Sequence, residues 1–198
     1  LRKDSKYHSR TCANLASSGN RKNIIADIKP VTVWSCGGGV ESTAMAVLIA
    51  TGKLPKPDYA VMVDAGYEKG WTWRYVNDVI MPELKKIDIK LNVIHTNDWY
   101  SNALFDNTGH LLIPAFRKKD TGRVSKLHTH CNGWKAVTAR RWIRSMGVER
   151  MESWQGIASN ESHRMRPSSR LWVSNRYPLI EMNMTRDHCL WLIGREGW

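Results

Sequence analysis

Apolar residues along the chain gather in short blocks separated by polar, glycine-bearing stretches, and the blocks alternate between two kinds. Val31-Thr-Val-Trp34, Tyr59-Ala-Val-Met-Val-Asp64, Leu91-Asn-Val-Ile-His-Thr96 and Glu152-Ser-Trp-Gln-Gly-Ile-Ala158 are short and rich in β-branched and aromatic residues, which predicts strands buried on both faces. Between them lie longer stretches of good helix formers. The run Ala44 to Ile49 is ended by Gly52, and Thr72 to Lys86 sets Trp73, Val76, Val79 and Ile80 on one side, with Pro82 expected to kink or end it. Ala136 to Met146 predicts a basic helix stopped at Gly147, and Thr185 to Ile193 one capped by Thr185, with Asp187 suited to its dipole. Strands alternating with helices give the fold class: α/β, a Rossmann-like parallel sheet flanked by helices.

The remaining segments fall outside this alternation. Lys53 to Asp58 predicts a turn, and Tyr177-Pro-Leu-Ile-Glu181 a short extended piece. Asn97 to Lys126 is a long polar connection carrying Arg117, Lys118, Lys119, Arg123 and Lys126; a connection of that length predicts a functional loop closing over substrate. Residues 1 to 29 carry Arg2, Lys3, Lys6, Arg10, Arg21, Lys22 and Lys29 against Asp4 and Asp27, with little apolar periodicity. They read as a basic N-terminal arm, either a loose terminus or a segment that orders along a phosphate backbone. The expected division is this arm, then one domain over 30–198.

Charge changes the picture more than length does. The 198 residues carry a formal net charge of +12 and a pI near 9.8, with the cations concentrated in the arm, in 117–126 and in 140–144, which points to polyanionic partners. No apolar run reaches the roughly 18 residues of a membrane span, and no signal-peptide core opens the chain, so a cytoplasmic protein without membrane contact is expected. Cys12, Cys36, Cys131 and Cys189 form no Cys-x-x-Cys pair, so free thiols are the expectation. His128, His130 and Cys131 have zinc-ligand chemistry but supply at most three neighbouring groups where a site needs four.

The sharpest chemical signal is Val31-Thr-Val-Trp-Ser-Cys-Gly-Gly-Gly-Val-Glu-Ser-Thr43, an apolar strand that stops in three glycines and restarts as a helix. Glycines admit positive φ and let a ligand approach without meeting a Cβ, while the helix start offers unpaired N–H groups to an anion. Two phosphate loops are excluded: no Gly-Lys-Ser/Thr follows, and Gly37, Gly38 and Gly39 do not give Gly-x-Gly-x-x-Gly. A side chain at Gly38 is expected to stand where phosphate must lie. Asp64-Ala-Gly66 ends the second strand with a carboxylate facing the same crevice, or serving as a plain helix cap.

Ser35-Cys-Gly-Gly-Gly-Val-Glu-Ser42 resembles the PP-loop, Ser-Gly-Gly-x-Asp-Ser, of the adenine nucleotide α-hydrolase superfamily, which includes ATP pyrophosphatases, thiolation enzymes and phosphoadenylyl-sulfate reductases. Gly37 stands for the first Ser, Gly38 and Gly39 match the glycine pair, Glu41 replaces Asp, and Ser42 matches the last Ser. In the reductase-like branch, including phage-type members, Asp64, Ala65 and Gly66 resemble an Asp-Thr-Gly motif near the adenosine. Lys135 falls on a substrate-binding Lys, and Gly156, Glu161, Ser162 and Arg164 match a Gly-x-Arg-x-x-Gln/Glu-Ser-x-x-Arg element with Ala158 in place of its first Arg.

The resemblance, over about residues 31–198, implies ATP and Mg2+ as cofactors. It implies nucleotide contacts from Ser35, Gly37, Gly38, Gly39, Val40, Ser42, Thr43, Asp64 and Gly66, catalytic roles for Glu41, Lys135 and Arg164, and metal ligation by Glu41 and Asp64. The activity implied is adenylylation of a nucleic acid (DNA or tRNA) or nucleotide substrate, in a chain that could work as a homodimer. The alternatives are a sulfonucleotide enzyme of the reductase kind, whose thiol-bearing C-terminal segment is not found before Trp198, and a binding module without catalysis. With only Cys131 and Cys189 near cluster-ligand positions, no intact iron–sulfur cluster is expected.

Overall fold

The computed structural model describes residues 27–66, 68–98, 116–118, 120–126 and 133–198. Its centre is a five-stranded, all-parallel sheet in the order β3-β2-β1-β6-β7. In chain order the elements are β1 (Val31–Ser35), α1 (Val40–Ala50), β2 (Tyr59–Asp64), α2 (Gly70–Tyr75), a π-helical turn (Val76–Ile80), α3 (Met81–Lys85) and β3 (Leu91–His95). A small antiparallel hairpin, β4 (Phe116–Lys118) and β5 (Val124–Lys126), stands apart from the sheet. A second π-helical turn (Gly133–Val137) leads into α4 (Thr138–Ser145), followed by β6 (Met151–Trp154), a 3-10 turn (Ser159–Arg164), β7 (Val173–Arg176), α5 (Pro178–Glu181) and α6 (Arg186–Arg195).

Alternation along the strands builds two cores. Trp34, Ala60, Met62, Leu91 and Trp154 face α1 and α6, packing with Met45, Leu48, Ile80, Leu84, Leu179 and Leu192. Val33, Val61, Ile94, Met151 and Val173 face the other way and pack with Ile143 of α4. Burial of successive residues on opposite faces is what a parallel sheet covered on both sides requires. It is also why these strands read as continuous apolar runs.

Three expectations change in detail, and one strand was not foreseen. The strand expected over 152–158 ends at Trp154, and Gln155 to Ala158 leaves the sheet as a loop. The extended piece expected at 177–181 is instead α5, because Pro178 at the first helical position supplies a φ already set for a helix. The strand beside it is β7, whose burial is confined mainly to Val173, so its edge position left too weak an apolar pattern to read. Pro82 is the second residue of α3, directly after the π turn, in the first turn of a helix where a residue without an N–H is tolerated.

The arm 1–29 lies outside the described residues up to Ala26, as do His128, His130 and Cys131. Of the segment expected to close over substrate, the described part is the exposed hairpin and its neighbours. No helix among the described residues is long and apolar enough to cross a membrane.

Candidate active site

The chain leaves β1 through α1 toward β2 on one side and returns through α4, on the opposite face, to β6 on the other. The strand order therefore reverses at β1, and the crevice of such a sheet opens outside the carboxyl ends of the strands flanking that point. The glycine loop occupies this position. Ser35 is exposed at the end of β1, and the Cys36 N–H still extends the ladder by donating to Val61 O at 2.8 Å.

The three glycines differ. Gly38 has φ +67°, and a Cβ there would lie 2.6 Å from Thr72 Cγ2 and 3.3 Å from Val76 Cγ2. Its missing side chain therefore faces α2 and the π turn, a correction to the expectation that it faces phosphate. At Gly37 and Gly39 a Cβ would meet nothing within 4 Å, and neither has positive φ. These two present open backbone. Gly39 is the N-cap of α1 in extended conformation, with no side chain to cap the N–H groups behind it.

Hydroxyls fix the loop from behind. Ser42 Oγ donates to Gly39 O at 2.9 Å, Thr43 Oγ1 donates to the same carbonyl at 3.0 Å, and Thr43 N joins them at 2.9 Å. Thr43 is 1% exposed. It shapes the loop from inside, whereas Val40 and Glu41 are only partly covered. Tyr75 hydrogen-bonds Thr43, and burial raises its phenol above the ordinary value. Burial likewise pushes the Cys36 thiol up to about 11, against hydrogen bonds from Gly38 and Ser42 that lower it.

On the far wall, Gly156 follows β6, and a Cβ there would come within 3.1 Å of Glu41 C and Ser42 N. Glycine lets this loop press against the first turn of α1 without crowding that backbone. Glu41 pairs with Arg186, the first residue of α6, so the starts of two helices meet across one ion pair. Arg186 also donates its backbone N–H to Asn160 Oδ1 at 3.3 Å. The Cys189 thiol, one turn on, is raised to about 11 by burial and by Glu41, with Arg186 opposing.

On the near wall, Asp64 accepts the Gly66 N–H at 2.7 Å and stands 3.3 Å from His95 Nδ1, its register partner at the end of β3. Lys135 pairs with Glu68 just beyond, which brings the start of the α4 region to this edge. Arg164 pairs at 2.5 Å with Glu161 within its own turn.

Of the predicted residues, the structure gathers Ser35, Gly37, Gly38, Gly39, Val40, Glu41, Ser42 and Thr43 in the loop and α1, with Asp64, Gly66 and Lys135 on the neighbouring strand edge. It ties Arg164 to Glu161 rather than to the loop. Arg186, His95, Glu68 and Thr72 were missed. Arg186 did leave a signal, since a cation in the first turn runs against the helix dipole and calls for a local anion.

Glu41 and Asp64 already have partners, and no group of three or more His, Cys, Asp or Glu side chains that could hold a metal occurs among the described residues.

No family model matches the sequence, and no curated protein is matched by it. Solved structures do match. The U34-tRNA thiolase NcsA from Methanococcus maripaludis, solved with its [4Fe-4S] cluster, aligns at TM-score 0.51 and 13% identity over 89% of this chain. The chain spans 62% of that protein's length. Phosphoadenylyl-sulfate (PAPS) reductase from Candida auris, solved as a phosphate complex, aligns at TM-score 0.55 and 13% identity over 99% of this chain and 88% of its own. The chain shares the α/β fold of these two solved structures. Neither match supports the homodimer expected from sequence.

Proposed function

We propose that the chain is an enzyme of the PP-loop ATP pyrophosphatase type, acting in nucleic-acid or nucleotide modification. The observation that carries this reading is the glycine loop at the sheet's reversal point. Gly37 and Gly39 leave open space where side chains would stand, directly before the uncapped start of α1. ATP is taken as its magnesium complex, the ion arriving on the triphosphate as part of the substrate.

A substrate oxygen attacks the α-phosphorus, and the bond from that phosphorus to the α–β bridging oxygen breaks. Pyrophosphate leaves with the electron pair, and an adenylyl ester forms. A later nucleophile displaces AMP from it. The N–H groups from Gly37 to Glu41 hold the departing pyrophosphate, and Lys135, joined by Arg164 once it leaves Glu161, balances charge as it develops. Lys135 is held at the edge by Glu68 until the anion arrives. Glu41 acts through its pair with Arg186, keeping that guanidinium beside the loop.

One observation favours a second reading, sulfonucleotide binding: the alignment with the reductase covers nearly the whole of both chains. A thermal-shift series with MgATP, AMP and PAPS, followed by a pyrophosphate-release assay, separates the readings. Stabilisation by MgATP with pyrophosphate and AMP as products supports the first. Stabilisation by PAPS alone supports the second, and binding without any product leaves a nucleotide-binding module.

A further inference from the structure

A groove of about 590 Å³ runs along the outer side of α4, away from the glycine loop, and its described lining includes Arg140, Arg141, Arg144, Arg170 and Trp172 but no acidic residue. Val137, Arg140, Arg141 and Arg144 follow one another at helical spacing, so they form one stripe. The opposite stripe anchors the helix: Ile143 is fully buried against the sheet, and Trp142 meets Tyr59 edge to face at 5.7 Å. The basic stripe is therefore carried on a fixed element.

Arg144 is held more tightly than a surface arginine. Its guanidinium lies 4.1 Å over the Trp172 ring, and its Nη1 donates to Val148 O at 2.9 Å. This fixes a flat cation with one face on an aromatic ring, a surface on which an unstacked base can lie. Arg141 and Arg170 are exposed on either side of it. At about 1.5 Å per residue, the stripe from Val137 to Arg144 is about 10 Å long, close to three nucleotides at about 3.4 Å each. The helix turn above it carries Lys135, which stands at the edge of the crevice.

We infer that this groove is a docking track for single-stranded nucleic acid, its phosphates on Arg140, Arg141 and Arg170 and a base on the Arg144–Trp172 pair, leading the strand toward Lys135. Single strand is favoured over duplex because a paired base offers no open face to the stacked pair, whereas one from a loop or an end does. The inference rests on the proposed reading only for what happens to the strand at the crevice.

The test is fluorescence anisotropy with a labelled single-stranded dodecanucleotide and with a duplex of the same length, each titrated at several salt concentrations. Arg141→Gln/Arg170→Gln should weaken single-strand binding at least tenfold and flatten the slope of log K against log salt by about 1.4, at about 0.7 per lost contact. Trp172→Leu should weaken the single strand more than the duplex. Arg141→Lys/Arg170→Lys should keep the slope, which separates charge from fold. Unchanged binding by the Gln pair, or tighter binding to the duplex, overturns the docking track. The MgATP thermal shift, read on the same proteins, reports the crevice separately: its presence with no strand binding removes the groove alone, and its absence with strand binding intact removes the ATP reading alone.

Discussion

Gly38 and Gly37 are neighbours in the same loop, yet alanine should have opposite consequences at the two. At Gly38 the backbone has φ +67° and the new Cβ would lie 2.6 Å from Thr72 Cγ2. The left-handed conformation costs a residue with a Cβ about 1–2 kcal/mol, and overpacking of this kind costs about 1–3 kcal/mol. Together these give about 3 kcal/mol. For a domain of this size that is a fall in Tm of about 6–12 °C, at about 2–4 °C per kcal/mol. At Gly37 the φ is ordinary and no atom lies within 4 Å of the Cβ, so alanine should leave Tm within about 1 °C. Thr72→Ala in the Gly38→Ala background should recover the packing share and leave the backbone share, a non-additivity that a double-mutant cycle measures by calorimetry or urea melts. Equal stability of the two single variants, or no recovery from Thr72→Ala, would refute the geometry assigned to the loop.

Three further outcomes are expected. Gly156→Ala places a Cβ about as close to the Glu41 and Ser42 backbone as packing allows, so it should lower both Tm and MgATP affinity, checked by thermal shift with and without the nucleotide. Arg186→Ala leaves the Glu41 charge uncompensated beside the phosphates and should weaken MgATP binding about tenfold, with Arg186→Ala/Glu41→Gln recovering most of it in calorimetric titrations. The Cys36 thiol keeps its proton to about 11 when folded, against about 9 when unfolded. The native state thus binds the proton more tightly, so stability is whole below pH 9 and declines toward pH 11, by about 3 kcal/mol at about 1.4 kcal/mol per unit. Urea melts from pH 8 to 11 should show that decline, with a smaller one in Cys36→Ala, where the Cys189 thiol, likewise raised to about 11, still contributes.

The central strands and α1 were legible because burial on both faces writes itself as uninterrupted apolar runs, and the glycine loop because three adjacent glycines mark the point where an apolar strand stops and a helix restarts. What escaped has physical causes. β7 is an edge strand with few buried positions, and the start at Pro178 reads equally as extended chain or as helix. The π turn before Pro82 depends on hydrogen-bond register, which no side-chain pattern encodes. In the site, Glu41 and Arg186 lie 145 residues apart and meet only because α1 and α6 lie on the same face of the sheet. The roles of the glycines escaped for a similar reason. That Gly38 faces Thr72, while Gly37 and Gly39 face open space, depends on a neighbour from another element.

The most direct test of the account is isothermal titration of MgATP into the protein and into Gly37→Val, with Tm measured for both. At Gly37 an added Cβ meets nothing within 4 Å, so the account predicts that valine leaves Tm unchanged and lowers MgATP affinity at least a hundredfold. MgATP affinity that survives the substitution in a fully folded protein would contradict it, and would place the nucleotide elsewhere than on the glycine loop.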